Sequence, residues 1–109
     1  SKSFIFQNKS VITINLPEIT AHGITYTFIN PHNGCDNNVS ITTTNTDKSN
    51  IYGHIISYNG AVTHVDNKTS LILNNTTCKK GDMVSLISVS GDAYNGWYIT
   101  NCVGAWTSS

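Results

Sequence analysis

Arginine is absent from this chain, and all six basic residues are Lys. Charged side chains make up only 11% of it, against roughly 25% in a typical soluble domain. Six Lys balance six acidic residues, so the formal net charge is zero. No Lys cluster goes beyond Lys79-Lys80. Phosphate backbones are held by concentrated positive charge, so a nucleic-acid partner is not expected. Long apolar runs are missing too. None approaches the roughly 18 residues that cross a bilayer, so no membrane insertion is expected. No basic stretch precedes an apolar one near the N-terminus, so no secretory signal is visible. Ser1-Lys2-Ser3 reads as a cut point or an added scar rather than a natural start.

Catalytic patterns are equally scarce. Glu18 is the only Glu, and Asp36, Asp47, Asp66, Asp82 and Asp92 sit in turn contexts. Turn Asp residues cap nearby backbone N–H groups, which explains them without chemistry. No pair of carboxylates stands out for glycoside hydrolysis. No Gly-x-Ser-x-Gly elbow occurs, and no Gly-rich phosphate loop leads into a helix. The chain is therefore not expected to be an enzyme, and no cofactor is implied.

The three cysteines, Cys35, Cys78 and Cys102, show no CxxC or CxxH spacing, so zinc has no support. Cys102 falls in a strand-like run and reads as a small core residue. A Cys35–Cys78 bridge is open to the chain, but three free thiols in a reducing compartment is the favoured reading. The histidines are His22, His32, His54 and His64. With Asn59-Gly60 as a two-residue hairpin turn, Tyr58 faces Ala61, His64 faces Ile55 and His54 faces Val65. Side chains alternate along a strand, so His54 and His64 are expected on opposite faces and no metal site is expected.

What the chain does have is Asn (14), Thr (14) and Ser (12), over a third of its length, and 13 Ile against 4 Leu. Such a bias also follows from AT-rich coding. A neutral coat of short polar side chains suits a surface exposed outside the cell. Five N-glycosylation sequons start at Asn8, Asn38, Asn67, Asn74 and Asn75, a number that so Asn- and Ser/Thr-rich a chain largely produces by chance.

No window carries apolar residues at helical spacing over three turns. Short β-branched and aromatic runs recur instead, broken by Gly, Asn, Asp and Pro. They fall at 3–6, 11–16, 24–29, 39–43, 51–58, 61–65, 70–73, 83–89 and 97–103. About nine short strands at even spacing predict one all-β domain over 1–109, an antiparallel, jelly-roll-like β-sandwich. Residues 44–50 and 90–96 read as polar loops. The aromatics are the best binding candidates. Trp97-Tyr98 opens the last long strand, so one ring points inward and the other outward. Tyr94 and Asn95 precede them, and Trp106 lies near the C-terminus. Exposed aromatic faces beside amides stack on sugar rings and bond their hydroxyls, although core packing explains the same rings.

Two stretches together carry a family likeness. Val11-Ile12-Thr13-Ile14-Asn15-Leu16-Pro17 is followed by Gly23-Ile24-Thr25-Tyr26-Thr27-Phe28-Ile29. Gly81-Asp82-Met83-Val84-Ser85-Leu86-Ile87-Ser88-Val89 is followed by Gly91-Asp92, Gly96-Trp97-Tyr98-Ile99 and Gly104. The pattern resembles a small β domain that recurs in structural proteins of tailed phages, large DNA viruses and virophages. It covers about residues 11–106 and consists of strand and turn positions. The Tyr94-Asn95-Gly96 loop and the cysteines depart from it. The resemblance implies the C-terminal head of a trimeric fibre or other virion-surface protein, placed on the virion and binding surface glycans. The alternatives are a cementing or trimerisation domain without receptor binding, and a lectin-like module.

Overall fold

The computed structural model describes residues 2–11, 13–44, 50–91 and 93–109. These residues form ten strands: β1 (Lys2–Ile5), β2 (Thr13–Asn15), β3 (Thr25–Ile29), β4 (Val39–Thr42), β5 (Ile51–Ile56), β6 (Val62–Lys68), β7 (Ser70–Leu73), β8 (Met83–Val89), β9 (Gly96–Val103) and β10 (Trp106–Ser108). No helix of the described residues is long and apolar enough to cross a membrane. The nine expected runs all contain strands, and β10 is the addition. Its three residues follow Gly104-Ala105 too closely for periodicity to separate them from β9.

The strands make a six-stranded sheet, β1-β3-β8-β9-β5-β6, and a four-stranded sheet, β10-β7-β4-β2. The sheets pack as a sandwich. Alternation decides which residues fill it. Val84, Leu86 and Ser88 of β8 point inward, as do Val39 and Ile41 of β4 and Leu71 and Leu73 of β7. Phe28, Ile51, Ile55, Val65 and Trp97 complete the face of the larger sheet, and Trp106 that of the smaller. Fully burying such side chains contributes about 1.5–3 kcal/mol each, and dense packing around branched Ile and Val fixes one arrangement.

Five of the eight strand pairings are antiparallel, as expected. Three are parallel: β1 with β3, β2 with β4, and β5 with β9. The first two follow from the way the chain starts. β1 to β4 alternate between the sheets, so each returning strand in a sheet runs the same way as the last. Residue patterning encodes inward and outward, but not which sheet a strand joins.

The hairpin register differs from the two-residue turn. Ser57 N–H donates to Ala61 O at 2.9 Å, enclosing a three-residue loop, Tyr58-Asn59-Gly60. Gly60 sits at φ +85°, the left-handed position that closes such a loop with a bulge. Asn59 Oδ1 accepts from Ala61 N–H at 3.0 Å and from the Ser57 hydroxyl. The extra residue slides the pairing by one, so His54 faces His64, Ile55 faces Thr63 and Ile56 faces Val62. His54 and His64 therefore share one face, correcting the expected opposite placement, and their rings stack at 5.0 Å.

Candidate functional site

The five candidate residues separate by alternation along β9. Trp97 is 1% exposed and packs edge-on against Tyr26 at 5.5 Å. Trp106 is likewise buried, and its indole N–H donates to Val103 O at 3.1 Å. Both tryptophans are core residues, which corrects their place among the ligand contacts. A ring packed between two sheets is closed to any ligand. Tyr98, the next residue after Trp97, turns outward. Its hydroxyl donates to Tyr94 O at 2.9 Å. Tyr94 is 56% exposed in the loop before β9. Asn95 Oδ1 accepts from Gly91 N–H, so that oxygen is engaged in shaping the loop. Asp92 and residues 45–49 of the other expected loop lie outside the described residues.

Tyr98 does not stand alone. The parallel pairing of β5 with β9 places Tyr52 beside it, and the rings stack at 5.3 Å with 27° between planes. Gly96 makes this possible. A Cβ there would lie 2.8 Å from the Tyr52 ring and 2.7 Å from Asn50 O, so no other residue lets the ring approach the β9 backbone. The Tyr52 hydroxyl donates to Asn67 Oδ1 at 3.1 Å, and Asn50 Nδ2 donates to the same oxygen at 2.6 Å. Asn67 holds φ +55°, a conformation Asn tolerates better than most residues. The stacked histidines continue the ledge along β5 and β6, followed by exposed Ile56 and Val62. Tyr52, Asn50 and Asn67 were not among the sequence candidates. They belong to β5, its flank and the end of β6, and only the β5–β9 pairing brings them to Tyr98.

A second feature lies at the opposite edge of the large sheet. Where β1, β2 and β3 meet, a cleft of about 310 Å³ is lined by Phe4, Phe6, Ile14, Leu16, Tyr26 and Phe28, among others. Phe4 stacks on Phe28 at 5.3 Å and on Tyr26 at 5.8 Å. Phe4 and Ile5 remain 41% and 55% exposed on an edge strand.

Several other polar groups bond within the fold. Asp82 is buried and accepts from Lys79 N–H at 3.0 Å and from the Tyr58 hydroxyl. Burial, then the bond to Asp82, pushes the Tyr58 phenol well above its ordinary range. Glu18 is exposed. His32 Nε2 meets Phe6 O at 2.5 Å, and His22 Nδ1 accepts from Ser90 N–H at 2.9 Å. Among the described residues, no three His, Cys, Asp or Glu side chains converge on a metal-sized site.

No protein-family model, curated protein or solved structure matches the chain.

Proposed function

We propose that this domain is an attachment head of a virion-surface protein, and that it binds neutral glycans on the outer ledge of its large sheet. The observation that carries this reading is the stacked Tyr52–Tyr98 pair, with Tyr94 beside it and the Asn50 and Asn67 amides at its margin. Aromatic rings offer apolar faces for the C–H side of a sugar ring, and phenols and amides match its hydroxyls. The strand and turn motifs that resemble viral fibre heads support the viral setting. Each such site would be weak, and repeated copies on a virion would supply avidity. A glycan array tests the binding. The intact chain, displayed multivalently, is expected to bind a subset of neutral glycans, and Tyr98→Ala and Tyr52→Ala to lose at least tenfold of the signal. Equal signals from both variants and the parent would refute the ledge.

A cementing role has its own supporting observation, the apolar cleft beside exposed Phe4 and Ile5. In the favoured reading the same edge packs against further copies in a homotrimer, since unpaired edge strands and apolar patches mark contact surfaces. Light scattering at micromolar concentration is expected to give three times the chain mass for the parent and a smaller species for Phe4→Ser. A monomeric parent would rule out this trimer.

A further inference from the structure

We propose that Cys35 and Cys78 form an intramolecular disulfide, leaving Cys102 as the only thiol of the chain. The two sulfurs lie 3.8 Å apart, at contact distance. A disulfide needs about 2.05 Å, so closure asks for a combined movement of under about 2 Å, within reach of side-chain rotation. The backbone is already assembled for it. Gly34 N–H donates to Cys78 O at 3.2 Å, and Cys35 N–H to Asn75 O at 2.8 Å. Asn33 Oδ1 accepts from Lys80 N–H at 3.0 Å, and Asn38 Oδ1 from Asn75 N–H at 2.9 Å. Four bonds thus lash the loop after β3 to the loop between β7 and β8, on either side of the cysteines. The partners are 43 residues apart in sequence and lie in two loops that each connect the two sheets. Cys102 sits elsewhere, on β9 opposite Val84, buried in the core.

The chemistry balances with a disulfide oxidant such as oxidised glutathione. Cys35 is the more exposed of the pair. Its thiolate attacks one glutathione sulfur, and one glutathione leaves as a thiolate that takes up the proton. The Cys78 thiolate then attacks the Cys35 sulfur and expels the second glutathione. Two protein thiols lose two electrons and two protons, and one glutathione disulfide becomes two glutathiones. A depression lined by Asn33, Gly34, Tyr58, Cys78 and Lys79, among others, opens on the Cys78 side of the pair. Burial, the bond to Cys78 and the Cys78 charge push the Cys35 thiol up to about 11, with Asp36 adding to the shift and Lys9 opposing it. Only the thiolate attacks, so the rate rises roughly tenfold per pH unit from about pH 7 to 9.

The test is independent of any glycan binding. Reduced protein is incubated with oxidised glutathione, and remaining thiols are alkylated and mapped by mass spectrometry. The expected result is a product of single-chain covalent mass, two hydrogens lighter, a peptide linking Cys35 to Cys78, and alkylation at Cys102 alone. Its melting temperature is expected to rise by roughly 10 °C and to fall back on reduction. Cys35→Ser, at a half-buried site, is expected to show neither the link nor the rise. Persistent glutathione on Cys35 with Cys78 still alkylated, or a link involving Cys102, would overturn the pairing.

Discussion

Asn side chains in this protein work mostly on the protein itself. Asn30, fully buried, donates to His32 O and Lys79 O at 2.8 and 3.0 Å and accepts from His32 N–H. Asn74 Oδ1 accepts from the backbone N–H of Thr76 and Thr77. Asn8, Asn38 and Asn59 each accept a backbone N–H as well. Such bonds replace the ladder where the chain turns, and each contributes about 0.5–1.5 kcal/mol. Among the described residues most Asn side chains lie in loops, and Asn50 and Asn67 join the tyrosine ledge. Four of the five sequon asparagines have their amide oxygens in hydrogen bonds: Asn8, Asn38 and Asn74 accept backbone N–H groups, and Asn67 accepts from the Asn50 and Tyr52 side chains.

Cys102 makes the alkaline limit of the fold readable at a single residue. Burial, with the Asp82 carboxylate adding to it, raises this thiol from 9.0 to about 12. Between those values the folded chain holds a proton that the unfolded chain has released. Stability is therefore full below about pH 9 and falls as pH rises toward 12. Cys35 and Tyr58 are shifted in the same direction. Melting temperatures of the reduced protein are expected to be flat up to about pH 9 and to fall above it. Cys102→Ala is expected to fall less steeply. An increase above that pH, or an identical slope in the variant, would contradict this.

At the scale of elements, the β5–β6 hairpin carries the clearest lesson. Asn59-Gly60 correctly marks the turn, but the dipeptide fits two loop lengths. The longer loop wins because Asn59 caps Ala61 and Gly60 takes the left-handed position after it. One residue of difference moves His64 to the other face relative to His54, because strand alternation has a period of two. Gly60→Ala is expected to cost about 1 kcal/mol, measured by chemical denaturation, since Ala resists that backbone conformation. Nuclear Overhauser contacts between the His54 and His64 rings are expected in the parent. Their absence would restore the two-residue turn.

Strand existence was legible in the sequence, since every expected run contains a strand. Val39 and Ile41, Leu71 and Leu73, and Tyr26 with Phe28 stand two positions apart and so share a face, as the period of a strand requires. Half of the ledge was legible as well, since Trp97 and Tyr98 had to point opposite ways and Tyr94 sat in a polar loop. Which of the rings was inward needed the core, and Trp97 is the one that fills it. Tyr52 was hidden for a different reason. Its neighbour Tyr98 is 46 positions away in the sequence and meets it through a parallel pairing that no turn signal announces.

As a whole, the molecule needs no partner to be compact. Its radius of gyration is 13.1 Å, close to the roughly 13 Å expected at this length. Its accessible surface, 5831 Å², is close to the roughly 5,900 Å² of a compact monomer of this mass. The proposed association would rest on particular patches, not on a general surplus of exposed surface. Two patches stand at opposite edges of the large sheet. The β1 edge is apolar and cleft-like, and the β9-β5-β6 end is aromatic and hydrogen-bonding. The favoured arrangement gives the first to assembly and the second to ligand.

That division is tested most directly by nuclear magnetic resonance mapping of the labelled protein titrated with a neutral oligosaccharide selected on the array. Shifts are expected to concentrate at Asn50, Tyr52, His54, Asn67, Tyr94 and Tyr98, with Trp97 and Trp106 responding little. Shifts centred instead on Phe4, Ile14, Leu16 and Phe28 would place the ligand in the apolar cleft and contradict the proposed role of the tyrosine ledge.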